Sequence, residues 1–270
     1  MSGFGVFMAG WALAALLMVL AWAAQLRTGD AGIVDFTWAT GLGLLALGYA
    51  LAADGDPLRR TLVAVLAGGW SFRLAAHILF DRLIGKPEDG RYQRLRARWR
   101  EHTQLKFFGF FQAQALLTAV FAAPFLVVAL TPERPPAPAI IAAVAIWLLA
   151  VGGETLADRQ LAAWRADPAN RGRTCRVGWW RYSRHPNYFF EWLHWWSYPL
   201  LAWGSPAWWL TLLGPALMLY SLLKVTGIPH TERQALASRG DDYRAYQRST
   251  SAFVPWFPKK EVRCSSPRLT

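Results

Sequence analysis

Residues 107–130 read FFGFFQAQALLTAVFAAPFLVVAL, 24 positions without a charged side chain. The hydrocarbon core of a bilayer takes about 20 apolar residues of helix, so this stretch is long enough to span one and too long for an ordinary core helix. It ends at Thr131-Pro132-Glu133-Arg134-Pro135-Pro136, and a second apolar run follows over 137–160. Proline there opens the next helix without giving up a needed N–H. Reading outward with the same window gives seven expected spans, at 4–25, 32–53, 58–84, 107–130, 137–160, 187–203 and 206–225. Asp54-Gly55-Asp56-Pro57 and Gly204-Ser205-Pro206 punctuate two further boundaries. No stretch sustains the alternation of a barrel strand. The expected fold is an all-α integral membrane protein of seven transmembrane helices, folded as a single membrane domain over 1–270.

Composition agrees. Hydrophobic residues make up 54% and charged residues 17%, against about 25% charged in soluble domains, which excludes a disordered chain. The 29 Lys and Arg exceed the 17 Asp and Glu, a net +12. This excess gathers in three places: 85–106 has seven bases and three acids, 161–186 six Arg and one Asp, and 226–270 eight bases and four acids. With seven spans all three fall on one side. The positive-inside rule then makes that side cytoplasmic, with the N-terminus outside and the C-terminus inside. A bacterial inner membrane is the expected location. Because topology and anionic headgroups account for the charge, no nucleic-acid partner is expected. The first 25 residues lack a basic n-region and read as a retained helix. Cys175 and Cys264 both fall on the reducing face, so neither a disulfide nor a zinc site is expected. No Walker loop and no GxGxxG is present.

Ionisable residues at lipid depth are costly and default to functional candidates. Here they are Asp35, Arg73, His77, Glu154, Asp158, Glu191 and His194. Arg73 and His77 are four apart, as are Glu154 and Asp158, while Asn187, Glu191 and His194 follow an i, i+4, i+7 pattern. Each set shares a helix face. Such stripes serve a cavity open to the cytosol, or interhelical pairs that fix packing. The segment Arg181-Tyr182-Ser183-Arg184-His185-Pro186-Asn187-Tyr188 stands where a basic loop meets the sixth span. Cationic side chains beside free N–H groups suit a phosphate, and Tyr182 and Tyr188 suit a stacked base; the same residues also suit an interfacial anchor. Beyond it, His230, Glu232 and Arg233 precede Asp241-Asp242-Tyr243 and Tyr246. That part reads as an amphipathic segment for ribose and phosphates, or for headgroups. Phe253, Trp256 and Phe257 with Pro255 and Pro258 read as an anchoring end.

These residues carry a resemblance. Arg184-His185-Pro186-Asn187-Tyr188 with Glu191, and Asp242-Tyr243…Tyr246…Phe253-Val254-Pro255, resemble the steroid 5α-reductase and sterol reductase superfamily. Glu154-xxx-Asp158-xxxxxx-Arg165 resembles the Asn-xxx-Asp-xxxxxx-Arg element of that group, with Glu154 in place of Asn. Lys86-Pro87-Glu88-Asp89-Gly90-Arg91-Tyr92 resembles its bacterial members. The similarity runs from about residue 30 to 260 and is strongest over 150–258.

The resemblance implies a membrane enzyme that binds NADPH and reduces an activated C=C of a lipid, a 3-oxo-Δ4-steroid being characteristic. Helices one to four (1–130) would form the lipid pocket, 131–258 the cofactor site, and 259–270 a tail. By position, Asp158, Arg165, Asn187, Glu191 and His230 would contact the cofactor; Glu154, His185 and Arg233 join them. Arg91, Tyr182, Arg184, Tyr243 and Tyr246 are added from chemistry and adjacency. The chain departs from the eukaryotic pattern in lacking a Gln-Glu pair on the second helix and in having Trp70 at the third-helix Tyr position. The expected catalytic set is therefore Asp35, Arg73 and Glu191, with Asp35 protonated by burial and polarising the carbonyl, and Tyr49 and His77 next in line. A monomer in contact with membrane lipids is expected. The isoprenylcysteine carboxyl methyltransferases share Arg-His-Pro-x-Tyr but use a Glu-Glu pair where this chain has Glu232 alone. That rival, with S-adenosylmethionine, stays open, as does a non-catalytic lipid-binding protein.

Overall fold

The computed structural model describes residues 2–259. Among them there is no strand, only an isolated bridge between Ser183 and Ser251. In chain order the helices are α1 (Gly3–Thr28), α2 (Ile33–Ala52), α3 (Pro57–Leu83), α4 (Gly90–Arg98), α5 (Thr103–Leu130), α6 (Ala137–Ala166), α7 (Pro186–His194), α8 (Ser197–Leu201), α9 (Leu213–Tyr220) and α10 (Ile228–Ser249). π-type turns at Val63–Ala67 and Leu79–Leu83 interrupt α3. A 3-10 turn, Trp208–Leu212, leads into α9, and a π-type turn, Ser221–Val225, follows it.

Among the described residues, six helical stretches are long and apolar enough to cross a membrane: α1, α2, α3, α5, α6 and the run Trp208–Ser249. The apolar part of that last run ends near Val225. Past it, α10 carries Glu232, Arg233, Arg239, Asp241, Asp242, Arg244 and Arg248 and belongs outside the lipid. The expected span at 187–203 is not among the six. α7 has 9 residues and α8 has 5, and at about 1.5 Å per residue neither reaches across a hydrocarbon core. Pro199 gives the reason for the break: its ring removes an N–H and crowds the carbonyl four residues back, at Trp195. With six such helices, opposite sides for the two termini no longer follow from the helix count.

The chain falls into two compact units, Met1–Val144 with Trp196–Gly214, and Ala145–Trp195 with Pro215–Thr270. In unit 1, α1 packs on α5 and α2, and α2 also packs on α3 and α5. The α1–α2 contact depends on Gly10, where a Cβ would fall on the Tyr49 ring; small residues let lipid-embedded helices approach this closely. Trp70, Tyr49, Phe107, Phe111, Phe125, Leu42 and Leu45 are fully buried in this unit. Trp38 meets Trp70 and Phe121 edge-on, at 6.5 and 5.5 Å. At one end of α3, Asp56 caps the helix by accepting from the Leu58 and Arg59 amides. Arg59 itself is fully buried and donates to the carbonyls of Glu133, Leu201 and Trp203.

In unit 2, α6 and α7 meet at Gly153, where a Cβ would land on the Phe190 ring. The loop before α7 lies along α6, since the Trp180 indole donates to Ala157 O at 2.9 Å and the Trp179 amide to Gln160 Oε1 at 2.9 Å. α10 bends at Gly240, whose φ of 48° and ψ of −121° are open to glycine because it has no Cβ. Just past the bend, Asp242 accepts from the Thr174 amide at 2.6 Å and from Arg176 at 3.1 Å, which pins the basic loop to α10.

Candidate functional site

In unit 1 a polar cluster forms around Asp35. Asp35, in the first turn of α2, accepts on Oδ2 from Arg91 Nη2 and on Oδ1 from the Tyr92 hydroxyl, each at 2.7 Å. Arg91 also bonds Asp89, the cap of α4. Glu88 accepts from the Ala31 amide and from Arg96, both at 2.9 Å. Lys86 through Arg91 is thus tied down onto the start of α2. Burial raises the Tyr92 phenol well above its ordinary value, and the neighbouring Asp35 charge raises it further. Burial would lower Arg91, but Asp35, Tyr92 and Asp89 together outweigh it and hold the guanidinium above its usual value. Both oxygens of Asp35, the expected catalytic acid, are thus engaged within the protein, one by the Arg91 guanidinium and one by the Tyr92 hydroxyl. Arg91 lies in this cluster, in unit 1, whereas the other expected cofactor residues belong to unit 2. Arg73 is half-buried in α3, and His77 pairs with Asp81 at 3.1 Å.

Unit 2 is organised around Glu232. Its Oε1 accepts from Arg184 Nε at 2.7 Å, meets His185 Nε2 at 3.3 Å and accepts from the Tyr243 hydroxyl at 3.4 Å; Oε2 accepts from Gln247 at 2.8 Å. Arg184 Nη1 donates to the Gln247 and Thr250 carbonyls at 3.1 and 2.6 Å. Burial pushes the Glu232 carboxyl up, but hydrogen bonds from His185 and Arg184 and the Arg184 charge outweigh it, bringing the group down to about 2. Burial also pushes His185 below its ordinary value despite Glu232, so at neutral pH this imidazole is a neutral donor. It stacks on Tyr188, with ring centroids 5.3 Å apart. The Tyr246 hydroxyl donates to the Trp180 and Ser183 carbonyls.

Arg184, His185, Tyr243 and Tyr246, expected against a nucleotide, make hydrogen bonds that clamp α10 to the segment before α7. His185, Tyr243 and Tyr246 are 2%, 3% and 1% exposed, which leaves no ring face for a base, and a neutral His185 offers no charge to a phosphate. Tyr182 keeps a half-buried ring, edge-on to Phe257 at 6.0 Å. Arg233 lies exposed on α10, bonded to the Pro229 carbonyl, and His230 is half-buried one turn from the hub.

Asp158 and Asn187 are brought together, with Asn187 Nδ2 donating to Asp158 Oδ1 at 3.1 Å. Glu154 and Glu191 are both buried in unit 2. Arg165 faces a cleft of about 760 Å³, whose lining includes Trp164, Arg171, Arg173, Gln234, Ser238 and Arg239. The Trp164 indole N–H is buried there without a partner. Three of these arginines and the tryptophan had no sequence signal beyond the basic count of 161–186 and of the tail, and Glu232 had only its place as a lone acid. Cys175 is a buried free thiol, pushed up by burial; Cys264 lies outside the described residues.

These features define a multi-pass helical membrane protein. The chain belongs to the family described as a protein of unknown function, DUF1295, which matches residues 21–250 and so takes in both polar clusters and the cleft. That family is related to steroid 5α-reductase-like proteins. No curated protein and no solved structure matches the chain.

Proposed function

We propose that this protein is an NADPH-dependent reductase of an activated C=C bond in a lipid enone, a 3-oxo-Δ4-steroid being the characteristic substrate. The observation that carries the reading is the arginine-lined cleft around Arg165 in unit 2. Its donor set suits a dinucleotide phosphate. Arg165, Arg171, Arg173 and Arg239 supply forked cationic donors of the kind that bind phosphate oxygens in pairs, and the unpartnered Trp164 N–H seeks an acceptor. A volume of about 760 Å³ falls within the range of small-molecule sites. The nucleotide, when bound, supplies a hydride to the β-carbon of the enone.

The chain's own residues bind and orient. The four arginines fix the phosphates. Asn187, held by Asp158, has a side-chain carbonyl that is engaged with the Tyr188 amide and an amide nitrogen with a second hydrogen to offer. The Glu232 hub keeps α10, which carries Gln234, Ser238 and Arg239, against the rest of the unit.

The test is thermal stabilisation of the detergent-purified protein by NADPH, NADH or S-adenosylmethionine. Ligand at 100 times its Kd stabilises by about 2.7 kcal/mol. The expected result is stabilisation by NADPH that is lost in Arg165→Gln and in Arg171→Gln/Arg173→Gln. Stabilisation by S-adenosylmethionine alone would replace the reductase with a methyltransferase. No response to any of the three would leave a lipid-binding protein without a nucleotide.

A further inference from the structure

The residues that follow α10 are held at fixed points and yet display apolar side chains. The Arg184 amide donates to Ser251 O at 2.8 Å, Ser183 Oγ to Phe253 O at 2.8 Å, the Trp256 amide to Tyr182 O at 2.9 Å, and the Lys259 amide to Ser249 O at 2.8 Å. The Phe253 ring turns inward against Phe189 and Trp192, 5.8 Å from each. Val254, Trp256 and Phe257 turn outward and are 51%, 69% and 76% exposed. Pro255 and Pro258 flank the aromatic pair and restrict its backbone.

A pinned segment that leaves a tryptophan and a phenylalanine in the open needs an apolar or amphipathic occupant. Charge identifies it. Arg181, Arg248 and Lys259 are exposed in the same stretches of chain, and the sequence continues with Lys260, Arg263 and Arg268 against a lone Glu261. Aromatic rings beside a run of cations match the headgroup region of an anionic leaflet, where the rings enter the acyl boundary and the cations meet lipid phosphates. The same unit contains most of α6, a helix of membrane length.

We propose that residues 254–257 form an interfacial anchor for an anionic leaflet, with Val254, Trp256 and Phe257 inserted and the flanking cations on phosphate. The anchor is bonded to Tyr182, Ser183 and Arg184, so lipid contact also steadies the segment that clamps α10. This holds whether or not the protein is a reductase.

The experiment places a spin label at Trp256→Cys or Phe257→Cys in a Cys264→Ser background, with Arg244→Cys as a water-facing reference on α10. The full chain is reconstituted in nanodiscs of phosphatidylcholine with phosphatidylglycerol, and in phosphatidylcholine alone. Collision with oxygen is compared with collision with a water-soluble nickel chelate. At 256 and 257 the oxygen-to-nickel ratio should exceed that at 244 severalfold in the anionic discs. It should fall in the neutral ones, because each cation near an anionic surface contributes about fivefold to partitioning. Equal ratios at all three positions would overturn the anchor. Exclusion of both reagents would overturn it in favour of a protein surface, a second copy included. A high ratio that ignores lipid charge would overturn the anionic leaflet.

Discussion

Glu232→Ala removes the acceptor that four side chains share. Two of the contacts are short, Arg184 Nε at 2.7 Å and Gln247 Nε2 at 2.8 Å; His185 at 3.3 Å and the Tyr243 hydroxyl at 3.4 Å are at the long end. Hydrogen bonds to charged groups contribute about 1.5–3 kcal/mol each and do not add. Arg184 is only 12% exposed on its side chain but keeps the Gln247 and Thr250 carbonyls, so its charge is not stranded outright. The expected loss is about 2–4 kcal/mol, which is about 5–15 °C in Tm for a domain of this size. Glu232→Gln keeps the shape and one acceptor oxygen and should lose about half as much. Acid should mimic the substitution. Glu232 has an ordinary value of 4.5 and is brought down to about 2. Its contribution is therefore complete above about 4.5 and is lost as pH falls toward about 2. His185, lowered from 6.5 by burial, adds a loss that begins as pH drops below about 6.5. The assay is Tm against pH in detergent, paired with hydrogen exchange at the Arg184 amide, which bonds Ser251 in the wild type. A Glu232→Ala protein that melts with the wild type and retains its slow Arg184 amide would refute the hub.

Three further outcomes follow from the packing. Arg59→Lys keeps the charge, but one ammonium cannot fork to the carbonyls of Glu133, Leu201 and Trp203; Tm should drop by an amount equivalent to about 2–4 kcal/mol, and an unchanged melt would show that Arg59 is not needed there. Gly153→Ala drives a methyl into the Phe190 ring and should cost about 1–3 kcal/mol, whereas Gly48→Ala, in open space on α2, should stabilise slightly through helix propensity; equal melts for the pair would contradict the tight α6–α7 approach. Tyr92→Phe deletes the donor to Asp35 Oδ1 and should cost about 1–2 kcal/mol, read from the same melting curves.

Much of the helical framework was legible because apolar run length is a one-dimensional signal. Six of the seven expected spans match helical stretches of membrane length, and a helix start was visible too at Asp56-Pro57, where the side chain and the ring both suit a first turn. The span at 187–203 was misread for a physical reason. Its many rings read as apolar, but Asn187, Glu191 and His194 lower its hydropathy, and Pro199 breaks the backbone ladder at Trp195. The candidate site was legible in part. The resemblance grouped Asp158, Arg165 and Asn187, and the structure joins Asn187 to Asp158 at 3.1 Å. Motif spacing could not say which charges have partners already, so Arg184, His185 and Asp35 read as available groups when their hydrogen bonds are made within the protein.

The sequence by itself determined that this chain is helical, apolar over membrane lengths and basic between its spans, because composition and run length act locally along the chain. Tertiary structure alone decided which ionisable groups are free to act. Glu232 gathers donors 48 residues upstream at Arg184 and 15 residues downstream at Gln247, and Asp35 meets Tyr92 across 57 residues. The protonation and accessibility of such groups depend on burial and on partners distant in sequence, and only the folded chain brings those together.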